Sequence, residues 1–324
     1  MKWNKENKEY FGSIFKQINS KFERCFWPKE TCTDTAIRAH SIQNSDVLDL
    51  LCENNHLIMP KMGIDIDTGP FIKFEEVGRN KATTFTGLCD KHDSQLFEPI
   101  DKNIFSPHNQ EHLFLMAYRS VLRELHAKMK SGVDIQTQYM RGVDLGRFNP
   151  DVPDPPMMMA TMGVAEAYMF YLYKFYYDQV YLNRDFNKIE HQVEFIGDVG
   201  PTIAVSSVYS YIDNMRLLED RHEPKCMALN IFPQDNGLYL IFSYRMDQRK
   251  HLLPYISHIL QAERFFKLYL ISKLVLMYCE NFVMRPSFYN DLPDERKKAI
   301  RDYFMNNIWG NKNDKEDNDL YLFH

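Results

Sequence analysis

Apolar residues recur at helical spacing along several stretches of this chain of 324 residues. Residues 108–131 carry such a repeat and stop before Gly132, which predicts one long helix. Residues 160–183 predict a second helix, rich in tyrosine and phenylalanine. Two more helices are predicted over 251–283 and 291–308. Helices should therefore make up much of the chain after its first hundred residues.

Between the second and third of these helices, apolar and polar residues alternate as they do in β-strands. The alternating runs are 191–196, 202–209, 226–232 and 237–245. Asn236 and Gly237 lie where the last two runs join, and an Asn-Gly pair in this position is a strong hairpin signal. The pattern predicts an antiparallel sheet inserted into a helical region.

The first hundred residues follow a different pattern, in which proline, glycine and asparagine break the chain into short elements. The stretches 69–78 and 81–88 predict short strands. Ser45 is a suitable cap for one short helix, and residues 91–97 predict another. A small region with little regular structure often needs a metal or another staple to fold.

Composition narrows the class of protein. Apolar residues make up 44% of the chain and charged residues 26%, as in ordinary soluble globular proteins. The net charge of −5 argues against a uniformly basic nucleic-acid-binding surface, although a local basic patch stays open. The first residues of the sequence lack the apolar segment of a secretion signal, so we expect none, and charges interrupt or closely flank the most apolar stretches, 157–173 and 265–278. We therefore expect a cytoplasmic protein that makes no use of a membrane.

Four side chains that commonly bind zinc occur as two pairs. Cys25 and Cys32 are separated by six residues, and Cys89 and His92 by two. The second spacing is typical of zinc knuckles, whereas the first is wider than usual and requires its loop to fold back. Without a secretion signal, the six cysteines do not suggest a disulfide framework. We predict a structural zinc site; buried thiols beside a helix-start histidine are the alternative interpretation.

The order of these parts resembles the HNH nuclease family, also called the ββα-metal or His-Me finger group. The resemblance rests on the stretches AHSIQ, GRNK and CDKHD, in that order. His40 in the first stretch matches the first histidine of the family motif, and Asn80 in the second matches its central asparagine. In the third stretch His92 replaces the second cysteine of the family's last zinc pair, and Asp93 matches the final metal-binding residue.

The resemblance implies metal-dependent cleavage of a phosphodiester bond in nucleic acid, with DNA expected ahead of RNA. His40 would act as the general base that takes a proton from the attacking water. Asp93 would help to hold one Mg²⁺ or Mn²⁺ ion, and Asn80 would orient His40 through a hydrogen bond. Zinc would be structural in this scheme.

The sequence departs from the family pattern in three places within the module, one of which is that the final ligand is Asp93 instead of histidine. Ala39 stands where many members have a metal-binding residue. The long interval between His40 and Asn80 requires an insertion, with a helix over about 46–55 and the loop after it. The alternative function is therefore a non-catalytic, zinc-stabilised interaction or nucleic-acid-binding protein derived from the same fold, in which His40 is structural.

The expected fold class is α+β, with a small zinc-stabilised ββα-type module followed by a larger helical region that contains an antiparallel sheet. We place the module at 1–105, an α+β domain of unassigned role at 106–310 and a disordered tail at 311–324. The resemblance covers only residues 22–100, and any protein partner would bind through the second domain. The tyrosine-rich stretch 168–181 is expected to pack between layers, with base stacking as its alternative.

Overall fold

The computed structural model describes residues 22–29, 32–65, 69–210, 225–308 and 320–324. Within them, eight α-helices and nine strands form an α+β fold. The helices are α1 (Asp49–Leu51), α2 (Asp90–Asp101), α3 (Gln110–Asp144), α4 (Pro155–Asn183), α5 (Arg249–Gln261), α6 (Arg264–Tyr278), α7 (Pro286–Asn290) and α8 (Asp294–Ile308). The strands are β1 (Ala39–His40), β2 (His56–Asp65), β3 (Gly69–Gly78), β4 (Thr84–Phe85), β5 (Ile189–Gly197), β6 (Ile203–Ser210), β7 (Cys226–Gln234), β8 (Gly237–Arg245) and β9 (Phe282–Met284).

Seven strands form one antiparallel sheet in the order β3-β2-β9-β6-β7-β8-β5. The predicted hairpin is β7–β8, and its two turn residues are Asp235 and Asn236. Asp235 has a φ of 53°, a left-handed conformation that short hairpin turns require. The first position of β8 is occupied by glycine, Gly237, because a Cβ there would lie 2.5 Å from the carbonyl oxygen of Ile196. The predicted antiparallel sheet is confirmed.

The two faces of this sheet are covered by different helices. Met227 and Leu229 of β7 belong to a buried cluster that includes residues of α5, α6 and α8. The alternate residues Cys226 and Ala228 belong to a second cluster, which includes α3, α4 and the Cys/His-bearing loops. Because side chains alternate across a strand, those loops lie on the α3 side of the sheet.

Helices α3 and α4 run antiparallel and approach each other closely at two glycines. A Cβ on Gly132 would lie 2.9 Å from the carbonyl oxygen of Gly163. The sequence interpretation of Gly132 as the residue after the helix is therefore wrong, because α3 continues to Asp144. The glycine is needed for helix–helix contact.

Strands β1 and β4 form a separate two-stranded ladder in which His40 pairs with Thr84, and α2 follows β4. The chain between the two strands contains α1 and the hairpin β2–β3, where a helix over 46–55 followed by a loop was expected. Strand β2 pairs with β9 through Ile58 and Met284. Residues on both sides of the predicted boundary near 105 thus contribute to one sheet.

The prediction of a single helix over 251–283 is wrong. Extended backbone at Ala262 and Glu263 separates α5 from α6, although neither glycine nor proline marks this position. After α6 the chain enters β9, whose three residues pair with β6 and whose last residue, Met284, also pairs with Ile58 of β2. Tertiary pairing therefore overrides the helical spacing of apolar residues at this point.

The predicted disordered tail at 311–324 falls partly on residues 311–319, which lie outside the described part of the chain. For residues 320–324 the prediction is wrong, because Leu320, Leu322 and Phe323 are buried in the main core. The backbone of Leu322 accepts a hydrogen bond from Thr202 and donates one to Ser272. The last residues of the chain therefore belong to the folded structure.

Candidate metal centre and the adjoining histidine site

Two segments distant in sequence bring the four predicted metal ligands together. The first segment carries Cys25 and Cys32. The second segment carries Cys89, the residue before α2, and His92, which lies in the first turn of that helix. The backbone N–H of Cys89 points at Sγ of Cys25 over 3.4 Å, which holds the two segments side by side.

The spacing of the ligand atoms fits a single tetrahedral ion. All four atoms lie within 4.8 Å of one another. Nδ1 of His92 is 3.4 Å from Sγ of Cys25 and 3.2 Å from Sγ of Cys89. The sulfurs of Cys32 and Cys89 are 3.9 Å apart. Zinc bonds of about 2.0–2.3 Å place tetrahedral ligands roughly 3.5–3.8 Å apart, so the prediction that these four residues lie close enough to bind one metal ion is confirmed.

The donor set is enclosed by protein. Cys25, Cys89 and His92 are buried, and Cys32 is half-buried. Burial raises the pKa of the Cys25 thiol to about 11, so the sulfur retains its proton at neutral pH unless a cation lies beside it. Zinc binds thiolates and displaces such protons. Three sulfurs and one imidazole nitrogen form a closed set that is compatible with structural zinc.

Two further side chains support this centre, and nothing in the sequence pattern indicated either. The indole of Trp27 stacks on the imidazole of His92, with ring centroids 4.3 Å apart. Lys174 of α4 is only 4% exposed and donates hydrogen bonds to the carbonyl oxygen of Phe26 at 2.6 Å and to Asp178 at 2.8 Å. A buried cation therefore lies close to a cluster whose thiolates would carry a net negative charge with Zn²⁺ bound.

His40 lies at the end of β1 and is half-buried. Its Nδ1 is 2.9 Å from the carbonyl oxygen of Ala82, so Nδ1 donates a hydrogen bond and Nε2 carries the lone pair. Burial lowers the pKa of His40, and the charges of Arg119 and Arg79 lower it further, although the Ala82 carbonyl opposes the shift. A neutral imidazole with a fixed tautomer can accept a proton at neutral pH.

Asp93 directly follows His92, in the first turn of α2, and is half-buried. Burial raises the pKa of this carboxyl group, and the charge of Arg119 opposes the rise. Arg119 of α3 is buried and donates a hydrogen bond to Asp101 at 2.6 Å. The charge of Arg119 thus affects the pKa of both His40 and Asp93.

Asn80 does not have the position that the family resemblance implies. It is exposed in the turn before β4, and the contacts of the described residues include no hydrogen bond between Asn80 and His40. The carbonyl of Ala82, two residues later, orients His40 instead. The turn itself is closed by backbone hydrogen bonds from Lys81 and Ala82 to Gly78.

No protein-family model matches the chain, and no curated protein or solved structure shows significant similarity to it. No helix in the described ranges has the length and apolar character needed to cross a membrane. The fold and the geometry of the site define this chain as an α+β protein with an antiparallel sheet and a Cys₃His cluster able to hold a metal ion.

Proposed function

We propose that this chain is a zinc-stabilised, HNH-like nuclease that cleaves phosphodiester bonds in nucleic acid. The observation that carries the proposal is the hydrogen bond from Nδ1 of His40 to the carbonyl of Ala82, which leaves Nε2 as a proton acceptor. The arrangement of parts supports it: β1 pairs with β4, α2 follows β4, and Cys89, His92 and Asp93 lie at the start of α2.

His40 is the proposed general base. Nε2 takes one proton from a water molecule while the water oxygen forms a bond to phosphorus. The bond between phosphorus and the leaving sugar oxygen breaks, and that oxygen takes a proton from solvent. A positioned base of this kind contributes roughly 10²–10⁴-fold to the rate.

Asp93 is the proposed protein ligand of one Mg²⁺ or Mn²⁺ ion. Such an ion stabilises negative charge on the phosphate and on the leaving oxygen. Within the described residues, the Cys₃His cluster is the only group of three or more potential ligands, so Asp93 would act with few protein partners. This suits Mg²⁺, which keeps several waters and commonly uses one or two carboxylates. The proposed zinc, in contrast, would fix the start of α2 and thereby the position of Asp93.

Basic residues near His40 support a phosphate-containing substrate. Arg38 lies two residues before His40, and Arg79 and Lys81 lie in the turn that holds it. Arg38 and Lys81 are exposed, and the charge of Arg79 acts on His40. Local positive charge attracts phosphates even when the whole chain has a net charge of −5. DNA is the proposed substrate by family resemblance, and RNA is tested beside it as the second substrate.

The second candidate is a non-catalytic, zinc-stabilised interaction protein. Ala39 offers no metal ligand, and Asn80 does not contact His40. A histidine that donates to a backbone carbonyl is also a common structural element. The metal centre has the same geometry under both candidates, so zinc content alone does not separate them.

The test is incubation of the full chain with supercoiled plasmid and with a structured RNA, in the presence of Mg²⁺ or Mn²⁺. His56→Ala is a matched control for His40→Ala, since Nδ1 of His56 also lies 2.8 Å from a backbone carbonyl, that of Asn54, but at the exposed start of β2. We expect the wild type and His56→Ala to cleave, and His40→Ala to cleave at least about 100-fold more slowly.

Two results would contradict the proposal. If His40→Ala cleaves as fast as the wild type, the assignment of the general base is wrong. If the zinc-loaded wild type cleaves neither substrate with either cation, the nuclease proposal fails and the interaction protein is favoured.

A further inference from the structure

Helix α4 directs its charged side chains towards the protein. Within Pro155–Asn183 these are Glu166, Lys174 and Asp178. Lys174 and Asp178 are buried and paired with each other, and Glu166 pairs with Lys128 of α3 at 3.3 Å. A surface helix of a monomeric protein shows the opposite arrangement, with charges facing solvent.

The outward face of α4 carries large apolar side chains. Six of them expose between 40% and 60% of their surface: Met158, Val164, Tyr168, Tyr171, Leu172 and Phe175. With about 150–250 Å² for each large side chain, the six together expose roughly 600 Å². The largest apolar patch of a typical monomer is about 300–600 Å² and is often functional, so a surface at the upper end of this range indicates an interaction site.

The spacing along this face is that of a helix-pairing seam. Positions separated alternately by three and four residues repeat the a and d pattern of coiled coils. They are Met158, Thr161, Ala165, Tyr168, Leu172, Phe175 and Gln179, which we call the α4 stripe. It extends over about 32 Å of helix at 1.5 Å per residue. Phe170, Tyr173 and Tyr177 are buried against α3 and the sheet, so the stripe is not the face that contacts α3.

We propose that the α4 stripe packs against the same stripe of a second copy of this chain, forming a two-fold symmetric dimer. With Val164 and Tyr171, which flank the stripe, also covered, two copies together would bury about 1,200 Å², the lower limit of the 1,200–2,000 Å² of stable protein interfaces. The stripe contains no charged residue that would repel its copy in a self-complementary contact. This inference does not depend on the proposed nuclease activity.

The same observations disfavour other occupants. A helix that lies on a membrane surface carries lysine or arginine on its polar face, whereas the only lysine of α4 is buried. A single strand of nucleic acid stacked on the tyrosines would need basic groups beside them, and the stripe has none. The three-and-four spacing specifically suits a second helix.

The first test measures the mass of the full chain by sedimentation velocity and light scattering. We expect a mass of twice 38.5 kDa for the wild type. Tyr168→Glu places a charge at the centre of the stripe and should weaken self-association by about tenfold or more. Ile104→Glu is the control, because Ile104 is 83% exposed outside the stripe and its replacement should leave the dimer unchanged. Far-UV circular dichroism and zinc content show whether each variant is folded.

The second test uses a cysteine at position 168, in a Cys52→Ser background, and a short bis-maleimide cross-linker. Tyr168 lies near the middle of the stripe, so it faces its counterpart whether the paired helices run parallel or antiparallel. We expect a covalent dimer for Tyr168→Cys and none for Ile104→Cys. A monomeric wild type at micromolar concentration overturns the proposal, and so does a dimer that neither weakens in Tyr168→Glu nor cross-links through position 168.

Discussion

The imidazole of His92 lies flat against the indole of Trp27, with ring centroids 4.3 Å apart and ring planes within 4° of each other. The stack fixes the plane of a ring whose Nδ1 lies between the sulfurs of Cys25 and Cys89. A ligand held in this way loses little freedom when a metal binds, because its orientation already suits the ion. The contact therefore links the first segment of the centre to the start of α2.

Replacement of Trp27 by leucine should lower zinc affinity by about tenfold, as loss of a group that orients a ligand commonly does. Competition with a fluorescent chelator measures the affinity. Trp27→Phe keeps an aromatic ring against His92 and should retain most of the affinity. Equal affinity in the leucine variant and the wild type would show that the stack does not orient His92.

Replacement of Asn80 by alanine should leave nucleic-acid cleavage within about threefold of the wild type. The family resemblance assigns Asn80 to the orientation of His40, but the structure gives that contact to the Ala82 carbonyl, and Asn80 is exposed. Surface substitutions outside such contacts usually change little. Initial cleavage rates measure the effect. A loss as large as that of His40→Ala would show that Asn80 does orient His40, as the family resemblance implies.

The pH dependence of cleavage should follow the lowered pKa of His40. Burial, Arg119 and Arg79 hold this pKa below its ordinary value of 6.5, so the neutral base persists to lower pH. The rate should therefore fall only as the pH drops below 6.5. Arg79→Gln removes a positive neighbour, so it raises the pKa of His40 and should move this acid limb upward. If the wild-type rate already falls above pH 6.5, or if the fall moves to lower pH in Arg79→Gln, the assignment of His40 as the general base is contradicted.

Replacement of Lys174 by methionine should destabilise the fold by about 3 kcal/mol, because the Asp178 carboxylate would remain buried without its cation. Lys174→Met combined with Asp178→Asn removes both charges and should be more stable than Lys174→Met alone. Urea unfolding measures the free energies of unfolding. If Lys174→Met unfolds at the same urea concentration as the wild type, the buried pair contributes nothing to stability.

Local sequence patterns predicted the elements whose partners are also neighbours in sequence. The β7–β8 hairpin is one example, since strand alternation and turn residues lie within one short stretch. Strand β9 and the break at Ala262 could not be predicted in this way. Strand β9 depends on pairing with β6 and β2, which lie far away in sequence. Neither glycine nor proline marks the break at Ala262. Gly132 shows the same limit, because its role is set by Gly163 on another helix.

The candidate site was predictable to the same extent. The two-residue spacing of Cys89 and His92 is a local signal of a metal knuckle, and it led to the four ligands that the structure brings together. Arg119 and Lys174 reach the site from α3 and α4, and no sequence spacing connects them to it. Supporting residues from distant elements are found only when the packing of the helices is known.

The zinc content of the purified chain tests most directly whether Cys25, Cys32, Cys89 and His92 form a zinc centre. Elemental analysis should give about one zinc per wild-type chain, and Cys89→Ser should lose it. Cys52→Ser is the matched control, since Cys52 is a half-buried thiol outside the cluster, and this variant should retain its zinc. A wild-type chain without zinc, or equal zinc in Cys89→Ser and the wild type, would contradict the account.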